Sequence, residues 1–231
     1  MKRVLSLFLV LTLPLFVGCA VTPQYNVSFD EQVWENKEQK VGVYVSAIPK
    51  IRSQVPGAGC LLCLATASAI HAPIAKHIKT QSTEDLQSVK AELIAKLRDK
   101  GMDLVVIEDE IDLRKIKNNK VKGENVAKKD YSAFGTKYGI DRLFVLDITY
   151  VGSVRNFANY IPVGDPFVSI SGTMYLVNTT TNTYEMYEAI NIQKFAEGKW
   201  KEAPNYPGLT NAFYTAIELA KDDILDLTVG Y

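Results

Sequence analysis

Leu143-Phe144-Val145-Leu146-Asp147-Ile148-Thr149-Tyr150-Val151 decides the fold. Its first four residues are apolar on both faces of a strand. A strand of that kind belongs in the middle of a sheet covered on both sides. The pattern extends through Ile148, Tyr150 and Val151. Upstream, Val41-Gly-Val-Tyr-Val-Ser-Ala-Ile48 alternates Val41, Val43, Val45 and Ala47 on one face and stops at Pro49, which predicts a second strand.

Helices separate these strands. Ser82-Thr-Glu-Asp85 has the form of a capping box, and Leu86, Val89, Leu93, Ile94 and Leu97 follow at helical spacing up to Gly101. Leu104-Val-Val-Ile107 reads as a short buried strand. Asp130–Gly139 reads as a helix with Asp130 as cap and Gly139 as stop. Val168, Ile170, Met174 and Leu176 alternate with polar neighbours, and Asn178–Asn182 makes a turn into the partner strand Tyr184–Phe195. Phe213, Ile217, Ala220, Ile224 and Leu227 form the apolar stripe of a last helix, capped by Thr210 or Asn211. The order is β-α-β-α-β-β-β-α. The expected fold is α/β, a two- or three-layer sandwich on a mixed sheet of about five strands.

Val55–Ala75 interrupts this order. It carries no formal charge apart from any on His71. Pro56 and Pro73 bound an uninterrupted helix at Gly57–Ala72, about 24 Å at 1.5 Å per residue, short of a hydrocarbon core of roughly 30 Å. Its Ala, Gly, Ser and Thr content suits close backbone approach. A buried or oligomer-interface helix is therefore expected ahead of a membrane-inserting one. Within it, Cys60-Leu-Leu-Cys63 is a CxxC. A redox pair needs its first cysteine exposed at a helix N-terminus, and Gly57 and Gly59 allow that. Leu61, Leu62 and Leu64 point instead to a buried turn, so structural or disulfide-bonded cysteines are favoured. Zinc fits poorly, because only seven residues separate Cys63 from His71. Haem attachment fails because Leu64 stands where a histidine is required.

The chain opens on an export signal. Lys2 and Arg3 precede the uncharged apolar run Val4–Val17, too short for a spanning helix. Val17 and Gly18 are slender residues suited to a cleavage pocket, and Cys19 follows directly. The expected division is a signal peptide at 1–18, a lipidated N-terminus and tether at 19–39, and one α/β domain at 40–231 with an insert at 50–80. Lys plus Arg equal Asp plus Glu at 26 each, so no global field attracts nucleic acid. At 47% hydrophobic and 23% charged, the chain builds an ordinary core.

Glu108-Asp-Glu-Ile-Asp112 clusters four carboxylates. A solvated helix start is favoured over a divalent-cation site, since EF-hand spacing is missing. Asn159–Pro166 predicts a long, partly aromatic hairpin tip, and Trp200–Leu209 a second aromatic loop. No Gly-x-Ser-x-Gly, phosphate loop or dinucleotide fingerprint occurs, so the sequence gives no support to an enzyme and calls for no cofactor or metal.

Phe16-Val-Gly-Cys19 resembles a bacterial lipobox, with Phe16 where that motif prefers Leu. The resemblance implies a diacylglycerol thioether and an N-acyl chain such as palmitate on Cys19, the lipidation site. Ala20, where Asp would favour inner-membrane retention, implies outer-membrane sorting. With the element order over Lys40–Thr228, the chain resembles envelope lipoproteins that share the α/β domain at the amino terminus of the Tol–Pal translocation protein. That group includes the curli-secretion channel lipoprotein and the lipoprotein activators of penicillin-binding proteins. It implies action by binding: a membrane contact through the lipid, and an envelope protein or a second copy as partner. The alternatives are a self-oligomerising secretion or pore component, and a thiol-redox or metal-handling lipoprotein using Cys60 and Cys63.

Overall fold

The computed structural model describes residues 24–28 and 38–227. The signal peptide expected at 1–18 and the lipidation site Cys19 lie outside the described residues. The strands are β1 (Lys40–Val45), β2 (Arg52–Gln54), β3 (Asp103–Val106), β4 (Arg142–Ala158), β5 (Ile161–Asn178) and β6 (Tyr184–Phe195). The helices are α1 (Leu61–Ile78), α2 (Glu84–Asp99), α3 (Ser132–Tyr138) and α4 (Pro207–Leu227). One mixed sheet runs β3-β1-β4-β5-β6, and β2 pairs with β4 beyond the end of β1. The sheet has six strands where about five were expected, the extra one being three-residue β2 inside the 50–80 insert. β1 is parallel to β3 and β4, whereas β4–β5 and β5–β6 are antiparallel.

The Leu143–Leu146 run is central as its two apolar faces require. Phe144 and Leu146 face the layer of α1, α2 and α4; Leu143 and Val145 face the thinner layer built by residues 107–141. Strand β4 is far longer than the apolar run. A bulge between Ile148 and Tyr150 resets the alternation, so that Ile148 and Val151 both join the helix-side core. Gly172 lies opposite it, where a Cβ would stand 2.3 Å from the Asp147 carbonyl oxygen.

Leu86, Val89, Leu93 and Leu97 of α2 are fully buried, and Gly101 closes that helix at φ 78°. The Ser82 hydroxyl does accept the Glu84 amide at 3.1 Å, although Thr83 occupies the cap position. Asp130 likewise serves from one residue further out: Tyr131 is the cap, and Asp130 accepts the Ser132 amide at 3.1 Å. Gly139 ends α3 in the left-handed region, at φ 62°.

Three expectations need correction. Helix α4 begins at Pro207, whose ring fixes φ for a first turn, so Thr210 lies inside the helix and its hydroxyl donates to the Asn205 carbonyl. The Asn159–Pro166 stretch is not a long loop: only Asn159 and Tyr160 turn, with Asn159 at φ 58°, and β5 starts at Ile161. Helix α1 is not bounded by Pro73 but runs through it. The amide that Pro73 lacks lies on an exposed face, and Ile74 and Ile78 beyond it are buried in the core, which holds the last turn in place.

Candidate functional site

Sequence chemistry gathers at the end of the sheet where β4 turns into β5. β2 runs parallel to residues 152–154 of β4, and the chain stays beside β4 past that point. The Phe157 amide donates to the Pro56 carbonyl at 2.8 Å and the Asn159 amide to that of Gly57 at 3.1 Å. Gly57, at φ 85°, then turns the chain toward α1. The loop and the hairpin turn are thereby stitched together.

Cys60 is the N-cap of α1, with an extended backbone, and is exposed. Its Sγ accepts the Cys63 amide at 3.0 Å. Cys63 sits one turn below, 8% exposed, its Sγ 3.9 Å from Asn159 Oδ1. The two cysteines form a disulfide. The expectation of a buried turn fails here: Leu61 is 89% exposed and Leu62 77%, because only the face of Cys63, Ala67, His71, Ile74 and Ile78 turns inward. Tyr160, Ile161 and Val163 of the hairpin are also exposed. Together these side chains make an uncharged apolar end. Tyr160 and Ile161 were legible only as loop residues, since nothing in periodicity tells a two-residue turn from a longer one.

Beneath this end a polar seam joins α1 to the sheet. His71 Nε2 lies 3.3 Å from Ser153 Oγ, which is 2.7 Å from Ser53 Oγ. Burial, and then the Arg155 charge, lower the His71 pKa to about 4, so the imidazole is neutral. The Tyr150 hydroxyl donates to the Ser153 carbonyl at 2.9 Å, and burial pushes its pKa up to about 12 against the opposing Arg52 charge. His77 is elsewhere, its Nε2 2.7 Å from the Thr210 hydroxyl. The two histidines and the cysteines do not converge, and no group of three metal-ligating side chains is assembled among the described residues.

Three of the four carboxylates of 108–112 are dispersed onto separate cations. Glu108 pairs with Lys90, Asp109 with Lys137, and Asp112 with Arg114 and Lys115. They do not start an α-helix; Asp112 caps a single 3-10 turn at Leu113–Lys115. A cavity of about 480 Å³ opens beside them at the carboxyl ends of β1 and β3, between Ala47, Leu86 and Ile107. Crevices at such strand ends commonly hold ligands. Here Glu108 and Asp109, the two acidic side chains at its rim with cation partners, are already neutralised by Lys90 and Lys137. In the second aromatic loop Trp200 is buried in the helix-side core, with the Arg155 guanidinium over its ring at 5.1 Å.

No family model matches the chain, and no curated protein matches it. Among solved structures it is similar to lipoprotein GNA1162 from Neisseria meningitidis, at 11% identity and a TM-score of 0.27, over 78% of this chain and 99% of that one. It is also similar to the hypothetical protein CT253 from Chlamydia trachomatis, at 8% identity and a TM-score of 0.30, over 81% of this chain and 96% of that one. At these scores neither likeness carries a function to this chain.

Proposed function

We propose that the chain is a lipid-anchored envelope protein of the bacterial outer membrane that acts by binding another envelope protein through its apolar end. The carrying observation is that end itself. Leu61, Leu62, Tyr160 and Ile161 are each more than half exposed on a chain of zero net charge. Contiguous exposed apolar groups of this kind mark interaction surfaces. The lipobox resemblance at Phe16–Cys19 supports the anchor.

Within the segment expected to be the tether, Val27 already meets the domain. Val27 exchanges backbone hydrogen bonds with Tyr187 on β6, at 2.9 and 3.0 Å, and Asn26 donates to Glu188. An anchor at Cys19 would therefore reach Asn26 over seven residues, about 25 Å at full extension. A domain held that closely meets partners at the membrane face and not across the periplasm.

Self-association is the second reading, favoured by the exposed face of α1, uncharged from Leu61 to Pro73 ahead of exposed Lys76, in a helix long and apolar enough to cross a membrane by length and composition. The test is crosslinking of the tagged chain in whole envelopes, wild type against Leu62→Glu with Ile161→Glu. The binding reading expects a heteromeric product that the double substitution removes. Loss of no product would contradict it, and a product consisting only of this chain would favour self-association.

A further inference from the structure

We infer that Cys60 and Cys63 form a dithiol–disulfide exchange site, whose substrate is a polypeptide cysteine pair flanked by apolar residues. Four observations converge on it. Cys60 is exposed at the N-terminus of an 18-residue helix, while Cys63 is buried one turn below. The Cys63 amide donates to the Cys60 sulfur at 3.0 Å, a bond that favours the thiolate once the pair is reduced. The first turn of α1 contains no acidic residue to oppose that charge. Exposed Leu61 and Leu62 follow Cys60 directly, and exposed Tyr160 and Ile161 follow Asn159, whose side chain reaches to 3.9 Å from Cys63 Sγ and whose amide donates to Gly57, so apolar side chains lie on the elements that flank the pair. The sequence weighed against this site because three leucines surround the cysteines; in the fold Leu61 and Leu62 point outward and become part of it.

The exchange balances with two thiols. A substrate thiolate attacks Cys60 Sγ; the Cys60–Cys63 bond breaks, and its electron pair leaves on Cys63 Sγ, which takes up a proton. The second substrate thiolate attacks the substrate sulfur of the mixed disulfide and expels Cys60 as thiolate. The substrate is oxidised from dithiol to disulfide, and the cysteine pair is reduced to a dithiol. Exchange with a second protein disulfide restores it. This chemistry stands apart from the docking reading, because a peptide tests it with no envelope partner present.

The experiment uses the full chain in detergent. First, the reduced protein is alkylated with iodoacetamide from pH 5 to 9, and each cysteine is followed separately by mass spectrometry. Cys60 is expected to react roughly tenfold faster than Cys63 at pH 7, with a midpoint below the ordinary thiol value of about 8.5. Second, the oxidised protein is mixed with a hexapeptide bearing two cysteines flanked by leucines. One peptide disulfide should appear for every two protein thiols. Cys63→Ser, left with the Cys60 thiolate, should trap a mixed disulfide when it is mixed with the same peptide in its disulfide form, and Cys60→Ser should not. Leu61→Ser with Leu62→Ser should slow exchange with the peptide by a larger factor than exchange with glutathione, which offers no apolar flanks. Equal alkylation of the two cysteines, or a disulfide that opens only when the protein is unfolded, would overturn the site; alkylation of the wild type decides this even where a cysteine variant fails to fold.

Discussion

Gly57 and Phe157 meet backbone to backbone: a Cβ on Gly57 would stand 1.8 Å from the Phe157 carbonyl oxygen. This approach fixes the loop before α1 against the β4–β5 turn, and so sets where Cys60 emerges. Gly57→Ala must both move that carbonyl and hold an L side chain at φ 85°. It is expected to destabilise the fold by about 1–3 kcal/mol, measured by urea unfolding. Gly59→Ala, with open space around its Cβ, should change stability by less than about 0.5 kcal/mol.

His71 makes stability depend on pH in a defined window. Its folded pKa is about 4, lowered first by burial and then by Arg155, against 6.5 when unfolded. Between those values the unfolded chain takes up a proton that the folded chain refuses. Stability is therefore full above pH 6.5 and is lost as pH falls toward 4, by at most about 3 kcal/mol at 1.36 kcal/mol per pKa unit. His77, also lowered by burial, acts in the same direction. Denaturant unfolding at pH 7, 5.5 and 4.5 should show the decline in wild type, and His71→Gln should flatten most of it.

Arg142 and Glu185 form an ion pair with side chains only 9% and 19% exposed, and Asn178 donates to the second carboxylate oxygen at 3.2 Å. Glu185→Ala strands a buried guanidinium and is expected to cost about 3–5 kcal/mol. Arg142→Met combined with Glu185→Leu should recover most of that loss. Denaturant midpoints of the single and double variants separate the pair's own worth from the penalty of breaking it.

The two faces of α1 should respond differently. Ile74 is 4% exposed in the helix-side core, so Ile74→Ala is expected to cost about 2–4 kcal/mol. Leu62→Ser, at an exposed position, should stay within about 0.5 kcal/mol of wild type while weakening partner capture. Thermal unfolding beside crosslinking yield distinguishes a structural role from an interaction role at each position.

Element order was legible because burial on both faces at Leu143–Leu146 and heptad-like spacing at Leu86–Leu97 are local signals. What escaped was set by contacts distant in sequence. The bulge at Thr149 depends on Gly172, and the passage of α1 through Pro73 depends on core contacts of Ile74 and Ile78. At the candidate site, CxxC and its flanking glycines were visible as a motif. The exposure of Leu61 and Leu62 was not, since composition alone cannot tell a core leucine from one left on a helix face. Pairing of Val27 with Tyr187 across 160 residues carries no periodic signal either.

The most direct test of the central claim is site-specific photocrosslinking in intact cells. A photoreactive side chain is placed at Leu62, at Tyr160, or at Thr180, which is exposed in the turn between β5 and β6. Binding through the apolar end predicts that Leu62 and Tyr160 capture the same envelope protein and that Thr180 does not. Equal capture from Thr180, or no protein captured from Leu62 and Tyr160, would contradict it.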